Sequence, residues 1–201
     1  MSASIFRYIV LFYLLSAVPT ISHAQKMRFL IPDGAVIQHA GSIGYFSAGV
    51  DYDLFRNKRG SLDLLYGYVP ESKGGAFSIL SAKFAYRPFE IKVAPGLLFH
   101  PVNPGLFFNY TIDKNFDLLR DRDQYIKGYY YLSEALRAHV SLSSEVSVDP
   151  AVLGQKGPLR AVAIYYELNT NDMYLVNYFQ NTKGLSLSDV FKAGLGIKVS
   201  F

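Results

Sequence analysis

Cysteine and tryptophan are both missing from this chain of 201 residues. Without thiols there is no disulfide framework, no thiolate metal site and no lipid-modified cysteine. Long apolar runs are missing too. After the first two dozen residues nothing approaches the run of about 18 apolar residues that a membrane helix requires. Charge of either sign is sparse, and a formal net charge of +4 is too small to argue for a nucleic-acid partner. The histidines are scattered, with His39, His100 and His139 far apart in sequence and no pair at ligand spacing. The acidic run "DLLRDRDQ" (117–124) lacks the glycine and closing glutamate of a calcium loop. No metal and no cofactor is therefore expected.

Aromatic residues are plentiful instead, with 16 Tyr and 15 Phe beside 16 Gly. The opening segment "MSASIFRYIVLFYLLSAVPTISHAQ" has one cation, Arg7, before an apolar core from Tyr8 to Val18. Pro19 then interrupts it, and Ser22 and Ala24 put small residues at −3 and −1 of a cut before Gln25. That layout predicts a cleaved secretory signal peptide over residues 1–24 and Sec-type export.

Beyond it the dominant signal is alternation at period two, the mark of strands with one apolar face. Phe46, Ala48, Val50, Tyr52 and Leu54 share a face within 42–54, opposite Ser47, Asp51 and Asp53. Similar patterns recur at 62–68, 80–86, 91–99, 106–112, 138–148, 162–168 and 193–201. "PESKGG" (70–75) and "PVNPG" (101–105) read as turns. Pro95, inside an expected strand, suggests a bulge. Two irregular stretches, 114–136 and 170–189, read as long connections, and the second holds either a short helix capped at Asn171 or Asp172 or a further strand. The expected fold is all-β: an antiparallel up-and-down barrel of about eight strands over 42–201, with 25–41 left as a periplasmic lead. The long connections follow the fifth and seventh strands, and both fall at the end away from the termini.

Alternation alone does not say which face is inside. A soluble barrel would put the apolar face inward around a ligand, whereas a membrane barrel would turn it to lipid. The stretch "AGLGIKVSF", with Leu195, Ile197, Val199 and Phe201 at alternate positions, resembles the terminal β-signal of bacterial outer-membrane proteins. The resemblance implies a transmembrane β-barrel in the outer membrane of a Gram-negative bacterium. It also implies insertion by the barrel-assembly machinery, and contact with outer-membrane lipid and lipopolysaccharide.

Three groups of residues are candidates for function. His139 and Ser141 form a His-x-Ser pair with Glu145 on the same face of one strand. The pair resembles the motif of the outer-membrane lipid A deacylases, which would make His139 the base, Ser141 the nucleophile and Glu145 the orienting acid. The alternative is a plain polar row facing the lumen. Asp51, Asp53, Asp63, Lys83, Lys92, Glu167 and Lys198 fall on inward faces, where opposite signs on neighbouring strands predict salt bridges filling a narrow interior. Lys198 is expected to point toward Asp51 and Asp53. In the long connection, Arg120, Arg122, Tyr125, Lys127, Tyr129 and Tyr130 suit either the membrane interface or a binding surface for lipopolysaccharide, glycan or protein. The leading expectation is a non-catalytic protein acting by binding, adhesion or membrane integrity through its outer loops. The alternatives are a lipid A-modifying enzyme and a small-solute channel.

Overall fold

The computed structural model describes residues 30–113, 135–154, 157–180, 184 and 186–201, and Pro32–Phe201 is one unit. Its strands are β1 (Gly34–Ala40), β2 (Phe46–Leu54), β3 (Gly60–Val69), β4 (Phe77–Tyr86), β5 (Ile91–Ala94), β6 (Leu97–Ile112), β7 (Leu136–Val148), β8 (Ala161–Asn171) and β9 (Lys192–Ser200). All pairings are antiparallel, in the order β4-β3-β2-β1-β9-β8-β7-β6-β5, and β4 also pairs with β6. That last pairing closes the sheet. The result is an eight-stranded antiparallel barrel with β5 as an additional short strand on β6. Closure leaves the eight barrel strands without a continuous open edge, the liability of a flat sheet in any solvent.

A row of paired residues can be followed round the wall. From Leu97 it passes through Val148, Val162, Val199, Ala35, Val50, Leu64 and Ala82, and returns to β6 at Phe108. The return point differs from the start because the strands are tilted and staggered, as barrel closure requires. Every residue in this row points outward and is apolar. Neighbouring outward positions include Ile37, Tyr66, Leu80, Leu142, Ile164 and Leu195, all exposed. The intervening positions point inward, and most of the residues buried there are polar or charged.

Two segments depart from the sequence reading. Residues 34–40, part of the stretch expected as a periplasmic lead, form β1 and carry the seam of the barrel by pairing with both β2 and β9. "PVNPG" is not a turn: β6 runs through it, with its register shifted between His100 and Asn103. Proline is tolerated at such a bulge because the ladder is already interrupted there. The chain turns instead at Pro95 and Gly96, where φ of Gly96 is +72°. β5 runs in the same sense as β4 along β6, so the two read as one strand broken at Arg87–Glu90.

Gly34 pairs with Ser200, so both ends of the unit lie at one rim. The connections at that rim are 55–59, 87–96 and 149–160. The opposite rim carries the turns 41–45 and 70–76, the facing ends of β6 and β7 at Ile112 and Leu136, and the connection from β8 to β9. The last of these contains α1 (Asp172–Gln180) and α2 (Leu187–Val190), which settles the expected helix-or-strand choice for its first half. Asp189 of α2 accepts from the Ser186 hydroxyl and amide at 2.7 and 2.9 Å, and these bonds hold its carboxyl below the usual range.

Candidate functional site

The interior is built by one inward-facing residue after another from every barrel strand. Asp51, Asp63 and Lys83 stand directly opposite one another on β2, β3 and β4. Two carboxylates facing each other repel, and a long cation from the far wall resolves the conflict. Lys198 Nζ reaches Asp63 Oδ1 at 2.6 Å and Asp51 Oδ1 at 3.1 Å, with Ser61 Oγ at 3.4 Å. Lys83 Nζ lies 3.5 Å from Asp63 Oδ2 and 3.2 Å from Glu167 Oε2, and donates to Gln38 Oε1 at 3.0 Å. The Tyr165 hydroxyl donates to the same Gln38 oxygen at 2.7 Å. Its ring centroid is 4.9 Å from Lys83 Nζ and 5.8 Å from Lys198 Nζ.

These groups are almost sealed from solvent: Asp63 is 0 % exposed, Lys83 and Glu167 2 %, Asp51 3 % and Lys198 7 %. Three carboxyl groups thus share two lysine side chains. The cavity left among them is about 10 Å³, the space of roughly one water. Such a ladder of buried pairs holds only as a whole, since removing one member strands the others without solvation.

Toward the rim that carries the chain ends, the ladder opens into a charged vestibule of about 310 Å³. Arg87 lies between Glu145 Oε1 at 3.3 Å and Asp53 Oδ1 at 3.5 Å, while Lys58 holds the other Asp53 oxygen at 3.0 Å. Asp53 therefore pairs with Arg87 and Lys58 rather than with Lys198. Lys92 is exposed on β5 and lines a rim hollow with Ala94 and Leu98, outside the buried ladder.

Toward the opposite rim the ladder gives way to a small apolar cluster, and the interior is closed by the chain itself. The 41–45 turn folds inward, so that Ile43 is fully buried and clusters with Val36, Leu65, Phe107 and Tyr165. Two amides clamp it: Asn109 Nδ2 donates to Ser42 O and Asn169 Nδ2 to Gly41 O, each at 2.7 Å. The inward path requires left-handed backbone at Ala40 (φ +60°), Gly41 (+76°), Ser42 (+66°) and Gly44 (+135°). For Ala40 and Ser42 that conformation costs about 1–3 kcal/mol each, which the clamp and the buried Ile43 must offset. Asn169 Nδ2 also bonds Glu167 Oε1 at 3.3 Å. One hydrogen-bonded path thus links the inward turn to the ladder.

His139, Ser141 and Glu145 are not brought together. The His139 ring stacks on Phe107 with centroids 4.4 Å apart and planes 9° apart, and its Nε2 accepts from Asn109 Nδ2 at 3.2 Å. Ser141 pairs with Gly105 of the adjacent strand. Glu145 lies six residues from His139 along an extended strand, about 20 Å away, and bonds Arg87 instead. Among the described residues no hydrogen bond joins any two of the three. The outer-loop candidates Arg120, Arg122, Tyr125, Lys127, Tyr129 and Tyr130, and the expected leader 1–24, lie outside the described residues. Among those described, no group of three or more acidic or histidine side chains is arranged to hold a metal.

Several members of the interior were not anticipated: Gln38, Ser61, Arg87, Asn109, Tyr165 and Asn169. Gln38 belongs to β1, where Val36 and Gln38 alternate with Ala35, Ile37 and His39 and neither face is uniform. Tyr165 sits between the outward Ile164 and Tyr166, and a strand with tyrosines on both faces hides which one is inside.

The class defined by this geometry is a closed eight-stranded antiparallel barrel with apolar residues outside and a salt-bridged core inside. The chain matches no protein-family model, and no curated protein is significantly similar to it in sequence.

Proposed function

We propose that this protein is a transmembrane barrel of a bacterial outer membrane. It acts without catalysis, in binding, adhesion or membrane integrity, through the connections at the rim opposite its chain ends. The observation that carries this reading is the reversed polarity: Asp51, Asp63, Lys83, Glu167 and Lys198 are buried, while Ile37, Leu64, Leu80, Leu142, Ile164 and Leu195 are exposed. Water as the outer solvent would penalise the exposed apolar wall, and lipid favours it. The β-signal resemblance of β9 supports the outer membrane as the particular location, with lipid and lipopolysaccharide as neighbours and the barrel-assembly machinery as the insertion partner. The 10 Å³ left within the ladder favours a closed core over a channel.

Cell fractionation tests the location. The protein is expected in the outer-membrane fraction after a carbonate wash and should migrate differently on SDS gels before and after boiling. Release into the soluble fraction would refute the reading. Deletion should alter sensitivity to bulky antibiotics or surface attachment and leave the lipid A mass spectrum unchanged. A change in lipid A acylation that only intact Ser141 restores would replace this proposal with the enzyme.

A further inference from the structure

Helix α1 has the sequence DMYLVNYFQ, six of whose nine residues are Met, Tyr, Leu, Val or Phe, yet none of its residues is buried. Phe179 is 75 % exposed, and Tyr174 and Val176 are 39 % exposed. A helix that is apolar to this degree is ordinarily buried. Its start is fixed locally, since the Asn171 side chain accepts from the Tyr174 amide at 2.8 Å. Asp172 is its only charged residue.

Its position explains what else covers it. β8 presents Ile164, Tyr166 and Leu168 outward, and α1 begins where this row ends. The next outward position, Thr170, falls to 1 % exposure, and the helix packs against β7 and β8 there. The apolar surface of α1 is thus continuous with the outer belt of the barrel rather than with its interior. Leu187 and Phe191 extend it, and Lys192 Nζ lies 5.4 Å from the Tyr174 ring. Tyrosines beside an apolar body, seated where an outward apolar row ends, suit the headgroup boundary of a membrane, and Lys192 supplies a flanking cation.

We propose that α1 is an interfacial membrane helix. It lies along the headgroup region at the rim opposite the chain ends, with Val176 and Phe179, which share a helix face, at the acyl boundary and Tyr174 with Lys192 toward the lipid phosphates. This inference rests on the membrane reading of the barrel, and its test separates the two. Because the chain has no tryptophan, single tryptophans are clean reporters. Phe179→Trp and Ile164→Trp would each be refolded into phosphatidylcholine bilayers carrying bromine at shallow or deep acyl positions, with folding checked by gel mobility. Ile164→Trp should be quenched most by deep bromines. Phe179→Trp should show blue-shifted emission and be quenched most by shallow ones. Water-like, unquenched emission from Phe179→Trp beside a quenched Ile164→Trp would overturn the interfacial helix alone. Blue-shifted emission without quenching would overturn it as well, because protein rather than lipid would then cover the helix. An unquenched Ile164→Trp would remove the membrane reading itself.

Discussion

The ammonium of Lys198 on β9 lies 2.6 Å from the carboxylate of Asp63 on β3, although β1 and β2 separate the two strands in the sheet. One side chain thereby spans the lumen and bonds two carboxylates that would otherwise repel. Asp63 in turn bonds both lysines, so this cation and this carboxylate are the two branch points of the ladder.

Lys198→Met is expected to destabilise the barrel by about 3–5 kcal/mol, the cost of stranding buried charges. Asp51→Asn should cost far less, because Asp63 keeps both lysines. In the double variant the damage should be smaller than the sum, by about 0.5–3 kcal/mol of coupling. Urea midpoints at constant slope measure all three, and strict additivity would show that the ladder is not one unit.

The outer wall gives a test that depends on the surrounding solvent. Leu142 lies midway along β7 and is 48 % exposed. Leu142→Arg should cost about 2–4 kcal/mol if that position faces the middle of a bilayer. On a water-facing surface the same change would stay within about 0.5 kcal/mol. Equilibrium unfolding from lipid vesicles reads the difference directly.

The inward turn should respond to loss of its anchor. Ile43→Ala removes a fully buried side chain and is expected to cost about 2–5 kcal/mol. Asn169→Ala releases Gly41 O and Glu167 together. Hydrogen exchange should then rise at residues 41–45 before it rises in the strands. Uniform exchange across the barrel would contradict a separately clamped turn.

The closed core also sets an electrical expectation. In planar bilayers the wild-type protein should give no steady conductance at moderate voltage, because the space within the ladder is about 10 Å³. A stable open level in the wild-type protein would contradict that packing.

Much of this arrangement is written in the period of the chain. Strict alternation places Asp51, Asp63, Lys83 and Lys198 on inward faces, because each lies between apolar neighbours that belong outside. Which of them meet is not legible, since pairing depends on register round the whole wall and on β1, whose two faces are both of mixed polarity. The prolines of 101–105 look like a turn and in fact mark a bulge. Missing one strand and splitting another offset each other in the strand total. They also put the short connections 55–59 and 87–90 at the rim of the long loops, when both belong to the rim of the chain ends. Asn171 and Asp172 were readable as a helix start, because a side-chain cap is a local signal.

The β1–β9 seam pairs Gly34 with Ser200, and the ladder joins Lys198 to Asp51 across 147 positions of chain. Few of these contacts are local, so the ordering of nearly the whole chain must precede the gain they provide. A half-assembled sheet would hold Asp51 and Asp63 opposite each other with Lys83 of β4 as their one cation. Assembly is therefore expected to be slow and all-or-none, with the last strand to arrive delivering the second cation.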